Sequence, residues 1–559
     1  MTSFSAPLLD TATEATDWIA RIQAGLIGEG QAIAGPFGPR PLVYADFTAS
    51  GRSLDFIENA IAQWVLPFYG NTHTETSATG MHTTRLRELA RASVRAALGA
   101  GDEHAIIFTG SGATGAIDRF ARMLNLQALR SPRPVVFVGP FEHHSNDLIW
   151  REAQVELVRI PADAEGRPDV DALRAALARF PDERLKLGAF SMASNVTGVR
   201  SDLRALARAM HDHHGVIACD SAAGGPYMRI AMRESAPGAD DAIDAVFLSP
   251  HKFPGGPGTS GVLAIRRALC TGPIPALPGG GTVSYVTEHD HVYVTEPERR
   301  EEAGTPAIVE NIRTGMVLRL KELVGVERID ARESAAVQRA LDAWAAVPGI
   351  ELLGPPSSDR LGIFSFNIRA GSRQLHHNLV VAMLNDLFGI QARGGCSCAG
   401  PYGHALLGID HDQALRHQAL VDRGLSLYRP GWARLGLTWF HDAATIDYVI
   451  NAVSVIARHG SALMRLYDVD RGAGIWRARG FKPSWLPSDM ATLFTQRPAT
   501  CDAPPGFDQC MAQVDALVRQ AQATPPVPAP VTCAEEDALR WFWWPAESDR
   551  ACTELYQPS

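Results

Sequence analysis

Lys252 stands in Ser249-Pro250-His251-Lys252, directly after the apolar run DAVFLS and before the glycine-rich FPGGPGTSG. A lysine at the end of a buried strand has little structural reason to be there, because lysine is rarely buried without a role. Desolvation lowers the pKa of such an amine and suits it to Schiff-base formation. The run VIACD ends on Asp220. A strand-end carboxylate is costly to bury unless paired, and a protonated pyridine nitrogen would supply the pair. The structural alternative is an Asp that caps the next turn.

Three further segments carry polar groups after apolar runs. In FTGSGATG, Gly110, Gly112 and Gly115 match G-x-G-x-x-G, which by itself is a weak dinucleotide fingerprint. That reading wants an acidic residue at the end of the next strand, and Glu142 in GPFEHH lies too far along. Either way, a helix N-terminus rich in small residues is an anion site, with Ala113 and Thr114 as phosphate contacts. Ser249 and His251 flank Lys252 with further phosphate donors. The imidazole of His143 can lie flat on a planar ring. Asn195 in ASNVTG can donate to a ring oxygen, or be a plain turn residue. Each is ordinary alone. Together, each after its own strand, they point to pyridoxal 5'-phosphate held on Lys252.

The elements that must position these residues are legible between 105 and 267. AIIFTG, PVVFVG, VELVRI, LKLGAFSM, VIACD, DAVFLS and GVLAIR read as strands, with amphipathic segments such as VDALRAALARF and SDLRALARAMHDHH between them. The alternation predicts an α/β domain with a mostly parallel sheet, whose ligands lie beyond the carboxyl ends of its strands. A long helix is predicted from about 310, followed by a smaller α+β domain containing IFSFNI. The expected division is an N-terminal segment 1–40 packing with the small domain, a large cofactor domain 41–309, the small domain 310–462, and an extension 463–559. In the extension, ATPPVPAPVT reads as a linker, and the dense aromatics of ALRWFWWP are expected to be buried.

With 559 residues the chain is too long for one compact core. Its net charge of −9 argues against general nucleic-acid binding. No apolar run approaches a membrane span. The start MTSFSAPLLDTATEATDW lacks the pattern of a secretory signal, and eight cysteines do not make a disulfide scaffold, so a cytoplasmic protein is expected. No second ligand pair stands at zinc spacing, and no metal is expected.

The ordered set resembles the class V aminotransferase superfamily of fold-type I pyridoxal-phosphate enzymes, and within it the cysteine desulfurases and selenocysteine lyases. The resemblance runs from YADFTASG (44–51) to ARLGLTWF (433–440). It implies that SPHK is the Schiff-base segment, EHHSN the ring-stacking segment, and Gly281-Thr282 the segment in which Thr282 reaches the phosphate of a neighbouring subunit in a homodimer. Arg393-Gly-Gly-x-x-Cys398-Ala-x-Pro401 resembles the active-site loop of group II cysteine desulfurases, which implies Cys398 as sulfur acceptor. Arg434 falls where the family holds the substrate carboxylate. The implied reaction converts L-cysteine to L-alanine and leaves sulfur on the enzyme as a persulfide, for delivery to a sulfur-acceptor protein. Gly394, Gly395 and Gly400 suggest that the loop is mobile.

Two features depart from the pattern. Ala223 stands where the family usually has Gln. Cys396 accompanies Cys398, and the Cys-x-Cys loop resembles that of molybdenum-cofactor sulfurases; Cys396 is either a secondary thiol or a packing residue. The alternatives are another reaction of the same fold (selenocysteine lyase, β-lyase, epimerase or aminotransferase), a nicotinamide oxidoreductase, and a non-catalytic sulfur-carrier partner.

Overall fold

The computed structural model describes residues 16–72, 74–126, 132–357, 359–482, 489–495 and 503–555. All seven expected strands form: β1 His104–Thr109, β2 Val135–Val138, β3 Glu156–Arg159, β4 Lys186–Ser191, β5 Val216–Asp220, β6 Ala245–Leu248 and β7 Gly261–Arg266. They make one sheet in the order β1-β7-β6-β5-β4-β2-β3. Only β7 runs against the others, pairing antiparallel with β1 and β6. The β2–β3, β2–β4, β4–β5 and β5–β6 pairs are parallel.

The β-branched runs are continuous because both faces of this sheet are covered. In β2, Val135 and Phe137 enter one core while Val136 and Val138 enter the other, as the two-residue period of a strand requires. β1 turns into helix α1, Gly112–Met123, through Gly112 at φ +57°. A Cβ there would meet the Ser249 hydroxyl at 2.8 Å and the His251 ring at 3.1 Å, so the tight turn needs glycine.

The helix expected near 310 spans Ile308–Val324, and Gly325 at φ +86° separates it from a second helix, Val326–Ala345. The smaller sheet contains β8 Ile363–Ala370, β9 Arg373–Leu375, β10 Arg393–Gly395 and β11 Trp432–Gly436. Its interior order is β8-β11-β10, all antiparallel, with β9 and Ile350–Leu352 on β8. Helices α2, His377–Phe388, and α3, Ala443–Leu463, cover it.

The terminal segments differ from expectation in where they pack. Within 1–40, residues 1–15 lie outside the described residues. Helix Trp18–Gly25 adds Ile19 and Ile22 to the large-domain core rather than to the small one. Only the hairpin formed by Ala32–Gly35 and Gly38–Pro41 rests on α2, where Arg40 donates to the Leu387 carbonyl at 2.6 Å. The extension shares the small-domain core: Val514, Leu539, Phe542, Trp543 and Trp544 join its buried cluster. Gln374 of β9 exchanges backbone hydrogen bonds with Trp541 and Trp543, both 3.1 Å, so the aromatic segment adds a strand-like edge to the sheet. Burial of an apolar cluster this dense follows from its size; docking on β9 depends on pairing between residues far apart in sequence.

Candidate active site

The carboxyl ends of β1, β2, β4, β5 and β6 open on one cleft of about 260 Å³. Eleven of the thirteen residues singled out from the sequence line it; Thr282 and Cys396 do not. The single 3-10 turn Pro250–Lys252 after β6 puts Lys252 at the floor. Burial lowers its amine pKa to about 8, although the Asp220 carboxylate opposes the shift. Asp220 is buried at the end of β5, and burial pushes its carboxyl up. One of its oxygens accepts from the Ala222 N–H at 2.9 Å.

At the opposite end, the N-terminus of α1 meets the turn after β6. The Ala113 N–H donates to Ser249 Oγ at 2.9 Å, and Thr114 Oγ1 lies 2.7 Å from Ser145 Oγ. Backbone N–H groups and hydroxyls thus converge where the α1 dipole is positive. His251 borders the same corner, and burial holds its imidazole at about 4, so it is neutral. Between the two ends stands His143, lowered to about 4 first by burial and then by Lys252. Its Nδ1 accepts from the Ser145 N–H at 3.1 Å, which assigns the proton of the neutral ring to Nε2.

This donor set fits pyridoxal phosphate. A hydroxyl-rich helix N-terminus suits the phosphate, a buried carboxylate suits a pyridinium, a neutral imidazole suits the ring face, and a buried amine suits the aldehyde. Asn195 adds a buried Oδ1 that has no hydrogen-bond partner among the described residues. Its Nδ2, expected to reach a ring oxygen, instead donates to the Ser397 carbonyl at 2.7 Å. Ala223 also lines the cleft, so no side-chain amide takes the position of the family Gln.

The third wall is the cysteine loop. Ser397 and Cys398 are consecutive left-handed residues at φ +52° and +54°. Cys398 is exposed and faces the cleft, whereas Cys396 is half-buried against the cluster that holds Phe141, Tyr402 and Trp432. Three hydrogen bonds reach this loop from other elements or within it. The His144 N–H donates to the Cys398 carbonyl at 2.8 Å, the Gly400 N–H donates to His144 Nε2 at 3.0 Å, and Trp432 Nε1 donates to Ser397 Oγ at 3.2 Å.

One residue that holds the site's arginines escaped the sequence reading. Asp46, in YADFTASG, accepts from Arg434 at 3.2 Å and from Arg393 at 2.9 Å. Its signal was a carboxylate directly after an apolar pair, the same pattern that singled out Asp220. Arg434 also donates to the Asn195 carbonyl at 3.1 Å, and its buried Nε has no partner among the described residues. The other outlier is Thr282. It is buried, its hydroxyl donates to the Gly279 carbonyl at 2.6 Å, and the fold does not bring it to this cleft. Among the described residues there is no cluster of three or more His, Cys, Asp or Glu that could hold a metal ion.

The family model for class-V aminotransferases matches residues 43–429. A probable cysteine desulfurase of Staphylococcus aureus is 28% identical over 365 residues, covering 64% of this chain and 84% of the relative. One from Halalkalibacterium halodurans is 28% identical over 365 residues, covering 65% and 85%. Among solved structures, a cysteine desulfurase from Thermococcus onnurineus has a TM-score of 0.63 at 24% identity, covering 74% of this chain and 94% of that one. A cysteine desulfurase from Escherichia coli has a TM-score of 0.59 at 24% identity, covering 78% and 97%. These likenesses support the fold-type I architecture.

Proposed function

The chain belongs to the class-V aminotransferase family, and from that premise we propose that it is a pyridoxal-phosphate-dependent cysteine desulfurase that releases L-alanine and keeps the sulfur on Cys398. The observation that carries this reading is an exposed thiol facing the same cleft as a half-buried lysine and a buried arginine.

Lys252 would hold the cofactor covalently, Ala113, Thr114, Ser249 and His251 its phosphate, and Asp220 its ring nitrogen. When bound, the cofactor supplies an electron sink for the charge left at the substrate α-carbon. Arg434 presents a guanidinium to the substrate carboxylate, the bidentate partner that such a group takes. That fixes which substrate bond faces Lys252, whose freed amine removes the α-proton. His143, neutral and with its proton on Nε2, would lie against the ring face. Cys398 Sγ, as thiolate, attacks the substrate sulfur. The S–S bond forms as the substrate C–S bond breaks, and the electron pair of that bond stays with the carbon fragment that becomes alanine.

Several finer assignments belong to the same reading. The division into 1–40, 41–309, 310–462 and 463–559 is part of the same proposal, with the adjustment that helices Trp18–Gly25 and Ile308–Val324 both add residues to the large-domain core and that the extension packs with the small domain. A homodimer is supported by exposed Tyr285 (71%) and Trp64 (68%), apolar surface of the kind a partner covers. Thr282 lies at the root of the Tyr285 hairpin, from which it would act in the partner's site. The final acceptor is a protein thiol or other nucleophile able to reach exposed Cys398. The cytoplasm suits its seven described free thiols, and no helix among the described residues is long and apolar enough to cross a membrane. The test is a product assay with L-cysteine that scores alanine and sulfide separately. Alanine in step with protein-bound sulfur is expected; pyruvate in place of alanine would assign a β-lyase.

A further inference from the structure

A second cavity, of about 570 Å³, lies between the extension and the small domain, away from the cofactor cleft. Its lining includes the apolar Leu407, Ile409 and Leu539 and the arginines Arg369, Arg373, Arg540 and Arg550. Three of these already face carboxylates: Arg369 that of Glu351, Arg540 that of Glu547 at 2.6 Å, and Arg550 that of Glu554 at 2.8 Å. Arg373 does not; its hydrogen bond goes to the Arg540 carbonyl.

Two buried donors at this wall lack acceptors among the described residues. Trp541 Nε1 has none. Nor has Nε of Arg540, a side chain only 9% exposed, whose nearest carboxylate oxygen at that atom, on Asp537, is 4.0 Å away. Leaving a buried donor unsatisfied is costly, so two such donors beside a guanidinium that faces no carboxylate favour an acceptor from outside the chain. The indole cannot easily turn away, because its ring stacks on His377 at 5.5 Å and 9°. Most of these donors come from the extension, which lies beyond the family match ending at residue 429.

We propose that this cavity is a binding site for a small organic anion, its oxyanion head taken by Arg373, Arg540 and Trp541 and its apolar body by Leu407, Ile409 and Leu539. The site is independent of the catalytic reading. Its back wall, Pro430-Gly431, continues into β11; a Cβ on Gly431 would come within 2.7 Å of the Gly395 backbone, next to the cysteine loop.

The test is calorimetric titration of the full-length, cofactor-loaded protein, in which the catalytic phosphate corner is already filled, with benzoate and with phenyl phosphate. Saturable binding of at least one probe is expected, weakened at least ten-fold in Arg373→Gln. Because Arg373 also ties β9 to the extension, Trp541→Phe provides a second variant that keeps an aromatic ring on His377 and removes only the N–H; several-fold weakening is expected there, with an unchanged thermal midpoint. No saturable binding of either probe, or parent affinity in both variants, overturns the proposal.

Discussion

Arg434 donates to the Asp46 carboxylate across 3.2 Å, so the arginine proposed to receive the substrate carboxylate is already held by one from the chain. Asp46 fixes the guanidinium by one edge and leaves the buried Nε edge unpartnered. The substrate therefore meets a pre-oriented fork. Arg434→Lys keeps the charge but loses the planar geometry. Expected is a 10- to 100-fold fall in kcat/KM for L-cysteine, roughly the 1.5–3 kcal/mol of a charge-assisted hydrogen bond, expressed chiefly in KM. Steady-state kinetics checks this, and an unchanged KM would detach Arg434 from the carboxylate.

Lys252 gives a prediction in pH. An amine lowered to about 8 is protonated and unreactive well below that value, and free above it. The rate at which apoprotein takes up pyridoxal phosphate should rise with pH and level off above about 8, earlier than for an ordinary lysine. Lys252→Ala should form no borohydride-stable bond to the cofactor at any pH. Stopped-flow absorbance on the parent and borohydride trapping on both proteins measure this; a stable adduct in the variant would place the attachment elsewhere.

How much of this was legible depended on range. The strands were readable because burial on both faces forces unbroken runs such as VVFV and AVFL, and the cleft followed because parallel strands bring their carboxyl ends together. Asp46 was missed because its partners, Arg393 and Arg434, lie more than 340 residues away. The hydrogen bonds that His144 and Trp432 make to the cysteine loop were not legible either, because distant elements set those two residues beside it. Thr282 carries no local sign of which cleft it serves; its hydroxyl turns to Gly279 within its own chain.

The extension should behave as part of the small domain. Trp543 is fully buried, and its indole N–H donates to the Ala370 carbonyl at 2.8 Å. Trp543→Ala should cost ~3–5 kcal/mol, the usual range for emptying a buried aromatic site. A clear drop in the thermal midpoint is expected, with slow proteolysis of the parent at residues 503–555. Rapid release of that segment with full activity retained would show that it is not docked in solution.

Asp220→Ala should fold, because among the described residues the carboxylate accepts a hydrogen bond only from the neighbouring Ala222 N–H. The loss should fall on deprotonation of the substrate, by about two orders of magnitude or more, as for removal of a group that acts chiefly in the transition state. Exchange of the substrate α-proton with solvent deuterium measures that step alone, and exchange at the parent rate would give Asp220 another role.

The most direct test of the account compares Cys398→Ser with Cys396→Ser, each loaded with cofactor and given L-cysteine, by intact-protein mass and alanine release. Cys398 faces the cleft and Cys396 packs against Trp432 and its neighbours. Only Cys398→Ser should lose both alanine formation and the added mass of one sulfur atom, while both variants keep the cofactor. Alanine production at the parent rate in Cys398→Ser would contradict the desulfurase reading.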